Sequence, residues 1–456
     1  MTRFVTINRD TAYLLPPSVD EWLPGKHLAR FVVGMVDQLD LKGLIEAYAG
    51  RGSAAQYPSV LLGLLLYGYA TGVHASRAIE RATYDSVAFR YVAGNTHPDH
   101  DTLATFRRRF IAQIEPLFVQ VLLLARTAGI LKLGVLCLDG TKIKANASRH
   151  SALSHEHLCK LQAQIAAEVK ALLARAEAAD QSQESDGMDV PAELTRREVL
   201  QQRLAEARAR IEAMEAERQA REKAEYAAKV AAREAKAEAT GKKPRGKPPA
   251  PPAAGINPKA QVNLTDAESR IMPRSGGGFD QAYNAQLSVE IESRLIVTTG
   301  VTQSTVDKQQ VVPALDTLAA LPAALQGIHA LVTDNGFTSA ANVKACAVRG
   351  ITPLFSLGRD GHHISLAERF ACEPALEPTS PPPPDPLAAM RHLLKTKAGR
   401  TLYALRKSTV EPVIGIVKSV CGFTHFSLRG LHNVTGEWNL ACLAYNMKRL
   451  HRLQMA

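Results

Sequence analysis

Apolar residues recur at three- and four-residue steps through 28–48, 58–70, 75–93 and 101–128. That spacing lines one face of a helix and predicts that the chain from Leu28 to about Leu131 is helical. Residues 1–20 read instead as extended and Pro-containing. Pro58 opens one helix, where its missing N–H costs nothing, and Gly72 and the Gly94–Asn95 pair mark turns. In HPDHDTLATFRRRF (97–110), Pro98 and Asp99 make a turn, and Asp101 or Thr102 is placed to cap the next helix. The run Arg107–Arg108–Arg109 falls one turn into that helix. A solvated face and a nucleic-acid contact are equally open readings of it.

The pattern changes at 133–139, a short apolar run bounded by Gly and Asp that reads as a buried strand. Two helical stripes follow. One is Leu158, Leu161, Ile165, Val169 and Leu172; the other is Leu200, Leu204, Ala207, Ile211 and Met214, with the acidic segment 180–190 between them. They predict an antiparallel helical hairpin with coiled-coil-like packing. GKKPRGKPPAPPAA (241–254) reads as a flexible basic linker. Strand signals return at 283–293, 294–302, 328–334 and 351–357, with helices at 306–320 and at 339–350, where Gly350 is a good C-terminal cap. Residues 358–389 read as a loop and the remainder as helical. The expected class is α/β, a mixed sheet flanked by helices and interrupted after its first strand by the hairpin. The expected division is 1–130 (helical), 131–149 with 260–456 (sheet), 150–240 (hairpin) and 241–259 (basic, Pro-rich linker).

With 456 residues, 46% of them hydrophobic, the chain can bury a large core and hold more than one domain. The longest apolar stretch, Val60 to Tyr69, is far short of a membrane span, and MTRFVTINRD lacks a signal peptide's apolar core. Six scattered cysteines with no CxxC pair read as reduced thiols of a cytoplasmic protein. The pairs His97/His100 and His155/His157 match no zinc spacing. The net charge of +11 is uneven: residues 391–456 hold eleven Lys and Arg against two acids, a balance of +9. Clustered cations of this kind favour a phosphate backbone.

Three carboxylates stand in distinctive surroundings. Asp139 ends one apolar run (GVLCLDGTKIKANAS), Asp334 ends another (IHALVTDNGF), and Glu411 lies in YALRKSTVEPVIGIVKS. Each has a plainer reading. Asp-Gly and Asp-Asn-Gly after a strand are common turns. Ser408-x-x-Glu411 is a capping-box pattern, and Pro412 suits a first helical turn. Against this, Lys418 lies two helical turns beyond Glu411, and Tyr403 and Arg406 precede it. An acid among such cations suits a metal ion beside a phosphate.

In these segments the chain resembles the DDE transposases of bacterial insertion sequences, in the group with an N-terminal helical domain and a Tyr-Arg-Glu-Lys signature. The resemblance spans nearly the whole chain: YPSVLLGLLLYGYATGVHASRAIE (57–80), HPDHDTLATFR (97–107), LDGTKIKANAS (138–148), VNLTDAESRIM (262–272), YNAQLSV (283–289) and the long segment 410–450. It implies an RNase H-like catalytic domain with Asp139 on the central first strand, Asp334 just after the fourth and Glu411 on a late helix. These three would be the catalytic and metal-holding residues. Tyr403, Arg406 and Lys418 match the other signature positions. Four residues separate Arg406 from Glu411 where the signature is usually written with three, so Lys407 competes with Arg406 for that role. Asp307 and the pair Glu437–Trp438 also fall in family-like segments; Asp307 is placed to cap the helix after it, and Trp438 to pack in the core.

The expected function is metal-dependent cleavage at the ends of the element, then transfer of the 3′-hydroxyl into target DNA. The triad would hold two Mg²⁺ ions, with Mn²⁺ able to substitute, about 3.5–4 Å apart. The expected partner is double-stranded DNA, both terminal inverted repeats and target, contacted by Tyr403, Arg406, Lys407, Lys418, Arg107 and Arg108. Pairing two ends implies a homodimer or higher. The competing readings are an inactive DNA-binding descendant of such an element, an RNase H-like nuclease or resolvase without strand transfer, and a coiled-coil scaffold built on residues 150–240.

Overall fold

A computed structural model describes residues 18–48, 55–182, 190–241, 246–274, 276–357, 377–378 and 381–455. The extended segment expected over 1–20 falls outside them except at its end, as do most of the 180–190 connection and of the 358–389 loop. The chain packs as two compact units, Met1–Lys144 with Tyr283–Ala456, and Ala145–Ala282. No single helix among the described residues is long and apolar enough to cross a membrane.

The first unit is α/β with a helical N-terminal region. Its helix Pro58–Thr71 has Pro at its start and ends on Gly72 at φ +87°. This helix is apolar almost all round and is wrapped accordingly: Leu61, Leu62, Leu64, Leu65, Leu66 and Tyr69 are each at most 1% exposed. The C-terminal helix Leu431–Gln454 lies between the N-terminal helices and the sheet. Towards the former, Lys448 Nζ donates to Ala70 O (2.8 Å). Towards the latter, Trp438 Nε1 donates to Gln286 O (3.0 Å), and the Asn446 carboxamide brackets the backbone of Ile296 (2.9 and 2.8 Å). One helix thus serves both cores.

The sheet contains β1 (Val135–Lys144), β5 (Phe279–Glu290), β6 (Ile296–Thr302), β7 (Ala330–Thr333) and β8 (Thr352–Phe355) in the order β6-β5-β1-β7-β8. β5 and β6 are antiparallel, whereas β1, β7 and β8 run parallel. β1 is longer than its apolar run predicts. After Asp139 the chain continues as Gly-Thr-Lys-Ile-Lys, with Thr141 and Ile143 buried on alternate positions, so the strand carries on through the acid. Asp139 is therefore mid-strand and not a turn residue.

In the second unit, helices His155–Ser182 and Val190–Thr240 pack through Leu158, Ile165, Leu204, Ala207 and Ile211, with Leu161 and Val169 partly buried beside them. Leu200, expected in this stripe, is 41% exposed. A short antiparallel pair, β2 (Ala152–Ser154) and β3 (Gln261–Asn263), supplies Val262 to the same cluster. β4 (Arg270–Pro273) pairs with the first residues of β5. Residues 246–254 of the linker have no regular structure.

Candidate active site

Two of the three acids are brought together by strand register. Cys137 of β1 is level with Val332 of the parallel β7, so Asp139 and Asp334 each stand two residues further on. A two-residue step keeps them on one face, and neighbouring strands lie about 4.8 Å apart. The Asp139 carboxylate accepts from the Gly140 N–H (2.8 Å). Asp334 ends β7 and accepts from Gly336 N (2.9 Å), capping the 3₁₀ turn Asn335–Phe337. Its turn role is real, and among the described residues no hydrogen bond to its second oxygen is seen.

Glu411 comes from helix Lys397–Gly415, whose cap is Thr396, accepting from Gly399 N (3.0 Å). The capping-box reading is corrected here. Glu411 and Pro412 lie well inside the helix, and Ser408 Oγ donates to Leu405 O (3.0 Å). Pro412 cannot donate to the Ser408 carbonyl, and a π-helical turn, Ile416–Val420, follows. Lys418, in that turn, reaches back to β1, donating to Thr141 Oγ1 (2.9 Å) and Lys142 O (3.3 Å). Burial holds the Lys418 ammonium below its ordinary pKa.

Arg406 joins strand and helix. Nη1 lies 3.4 Å from Asp139 Oδ2, and Nη2 lies 2.7 Å from Glu411 Oε1. Of the two competing basic residues, Arg406 faces the acids and Lys407 is exposed. Burial opposes the Arg406 charge, but Asp139 and Glu411, with Tyr403 and Asp334 behind them, outweigh it and hold the guanidinium above its ordinary pKa. Its Nε is buried with no partner among the described residues, a donor facing no protein acceptor. Asp139 is pushed up to about 6, first by burial and then by Asp334 and Asp307, against the pull of Gly140 N–H and Arg406.

Three carboxylates are the all-oxygen donor set that a hard divalent cation takes. Among the described residues, though, no group of three or more acid, His or Cys side chains stands close enough together to hold one. The Arg406 guanidinium bridges Asp139 and Glu411 instead. The donor chemistry fits a divalent metal, whose charge would take over the neutralising role that Arg406 fills.

The three-arginine run divides. Arg107 is 8% exposed, and its Nη1 donates to the Tyr69 hydroxyl (3.0 Å) and to His74 O (3.2 Å). Neither a DNA contact nor a solvated face fits so enclosed a group, and Arg107 leaves the candidate set. Arg108 is exposed, on a helix capped by Asp99, not by Asp101 or Thr102: its carboxylate accepts from Thr102 N (2.7 Å) and Thr102 Oγ1 (2.9 Å). Asp307 does not cap a helix either. It opens a 3₁₀ turn, the next helix starts at Val311, and its carboxylate turns to the sheet. There it meets Lys142, Asn284 and Gln286, which the sequence did not single out. For Asn284 and Gln286 the signal was the alternation of polar and apolar residues in YNAQLSV, a strand buried on both faces.

Residues 17–109 match the family model of a transposase domain (DUF772). Residues 383–451, which include Tyr403, Arg406, Glu411 and Lys418, match that of a transposase DDE domain. No curated protein and no solved structure matches the chain. Transposases act on DNA, and the DDE enzymes generally use divalent metals. One transposase domain near the start of the chain and the other near its end support a DDE transposase of an insertion sequence.

Proposed function

We propose that this transposase cleaves phosphodiester bonds at the ends of its element and joins the freed 3′-hydroxyl to target DNA. Its catalytic domain, 131–149 with 260–456, is read as RNase H-like. Counting β1, β5, β6, β7 and β8 as five strands, Asp139 lies on the first, at the centre of the sheet, Asp334 follows the fourth, and Glu411 is on a late helix. The observation that carries the reading is the Arg406 guanidinium, held by Asp139 from the sheet and by Glu411 from the helix. It supports a single acidic centre built from segments far apart in sequence.

Asp139, Asp334 and Glu411 would hold two Mg²⁺ ions, with Mn²⁺ able to substitute. When bound, such ions activate an attacking water or hydroxyl and steady the leaving oxygen. The chain's own part is to place the DNA. Arg406, relieved of the carboxylates, offers a planar fork to non-bridging phosphate oxygens. Lys418 is steadied beside the same strand by Thr141, and Tyr403 and Lys407 lie on the same helix as Arg406. The N-terminal helices, with Arg108, and the basic C-terminal segment hold the inverted repeats, and two ends require at least a dimer. The test is divalent-metal-dependent nicking of an oligonucleotide duplex carrying the element's end, followed by joining to a target duplex. Asp334→Ala should abolish both. Nicking at an unchanged rate in that variant would sink the assignment, and nicking without joining would reduce it to a nuclease.

A further inference from the structure

We propose that Asp307 is a positioning residue for Asp139, acting through Gly140; the inference rests on reading Asp139 as an acid of the active site. A single oxygen, Asp307 Oδ1, accepts from Asn284 Nδ2 (2.6 Å), Gln286 Nε2 (3.0 Å) and Lys142 Nζ (3.2 Å). Gln286 Nε2 also donates to Asn284 Oδ1 (2.9 Å). Asn284 and Gln286 are two residues apart on β5 and so share a face. Both are buried, at 0% and 6% exposure. The carboxylate draws the Gln286 amide nitrogen towards itself and leaves Gln286 Oε1 buried with no partner among the described residues. An orphaned acceptor is costly, so something holds the carboxamide this way round, and Asp307 is the group that does.

This network rests directly on the residue after Asp139. A Cβ added to Gly140 would come within 2.2 Å of Gln286 Nε2 and 2.9 Å of Asp307 Oδ1. The chain therefore has glycine where the network touches β1. The N–H of that same glycine holds the Asp139 carboxylate at 2.8 Å. Asp307 fixes the Gln286 amide, the amide and the carboxylate seat Gly140, and Gly140 orients Asp139. Asp307 Oδ1 also keeps the Lys142 ammonium paired, so the network brings little net charge to the strand.

The test uses the full chain and two readouts: single-turnover cleavage of an end-bearing duplex, and Mn²⁺ binding without DNA, followed by loss of the free-ion paramagnetic resonance signal. Asp307→Ala should lower the maximal cleavage rate roughly 10- to 100-fold, as small misplacements of reacting groups do. The DNA concentration at half-maximal rate should stay within about twofold, because no DNA contact is lost. Mn²⁺ affinity should fall about tenfold, at the low end for losing support behind a metal ligand. Asp307→Asn keeps an oxygen acceptor for both amides and should retain cleavage within about threefold. A wild-type rate and Mn²⁺ affinity in Asp307→Ala would overturn the proposal. So would equal damage in the Asn and Ala variants, or a change confined to DNA affinity. If Asp307→Ala does not fold, Gly140→Ala decides, since its methyl enters the same contact: a wild-type rate in it overturns the proposal. Wild-type protein that neither nicks DNA nor binds Mn²⁺ sinks the active-site reading itself, a different failure from an Asp307→Ala that behaves as wild type.

Discussion

Two regions of the first unit are built from the same parts, a glutamate, an arginine and a tyrosine, and are put to opposite uses. In the buried one, Arg107 Nη1 donates to the Tyr69 hydroxyl, whose own proton goes to Glu437 Oε1 (2.8 Å). Glu437 is 0% exposed. Its two oxygens also take the N–H groups of Ser427 (3.2 and 3.0 Å) and Leu428 (2.9 Å). Every side of the carboxylate is filled by protein. In the other region Arg406 bridges Asp139 and Glu411, and the Glu411 side chain is 48% exposed. Closure marks the first as a structural knot, tying the N-terminal helices to the C-terminal helix. Exposure of Glu411 keeps the second open to solvent, as the proposed active site requires.

Exchanging the lesion between the two glutamates tests that contrast most severely. Glu411→Ala should leave the melting temperature nearly unchanged and, on the proposed reading, lower end cleavage roughly a thousandfold by removing several kcal/mol of charge stabilisation. Glu437→Ala should do the reverse and destabilise the fold by about 3–5 kcal/mol, because it strands Arg107 and two backbone N–H groups in the core. Denaturant unfolding and single-turnover cleavage of both variants settle it. The contrast breaks if Glu437→Ala melts like wild type, or if Glu411→Ala unfolds.

Titration sharpens the open site next. Asp139, pushed up to about 6, is largely protonated below that pH, and a protonated acid holds a metal poorly. Cleavage should therefore rise from the acid side through about pH 6, as far as the metal itself does not move the limb lower. Arg406 pulls the Asp139 pKa down, so Arg406→Gln should shift the metal-binding limb to higher pH, read as Mn²⁺ binding against pH. Stability runs the other way. The folded state binds the Asp139 proton more tightly than the unfolded chain does. This contribution is complete below the ordinary carboxylate range and is lost as pH rises through about 6. A limb that does not move in Arg406→Gln would mean that the bridge in the structure carries little electrostatic weight.

How much of this was legible in the sequence depended on whether a role was local. The helices and the hairpin stripe were readable because periodicity is a short-range property. The three acids stand out because each sits in a recognisable segment, and the structure brings Asp139 and Glu411 to one guanidinium. At Asp139 the apolar run stops and suggests a strand end, although the strand goes on as a polar–apolar alternation; only pairing across the sheet shows that. Glu411 looked like a cap because Ser-x-x-Glu-Pro is the local signature of a helix start, and tertiary packing carried the helix through it. Arg107, Glu437 and Asp307 were least legible. Their partners lie 38, 368 and up to 165 residues away in sequence, and no window reveals such contacts. Exposure was the missing variable: three consecutive arginines look alike until one is found inside.

That last point sets the smallest and most discriminating prediction. A side chain that neutralises one phosphate lowers the slope of log affinity against log salt by about 0.9 when removed. Arg108→Ala and Lys407→Ala each remove an exposed cation with no part in the buried knot. If both touch the DNA backbone, each should flatten the slope by about one and weaken binding uniformly across sequences, without changing the melting temperature. Arg107→Met should leave the slope alone and lower stability, since its guanidinium is committed to Tyr69 and His74. The comparison is made by fluorescence anisotropy on one end-bearing duplex over a range of salt. A flat response to Arg108→Ala would remove the N-terminal helix from the DNA path, and a lost slope unit in Arg107→Met would mean that the knot opens when DNA binds.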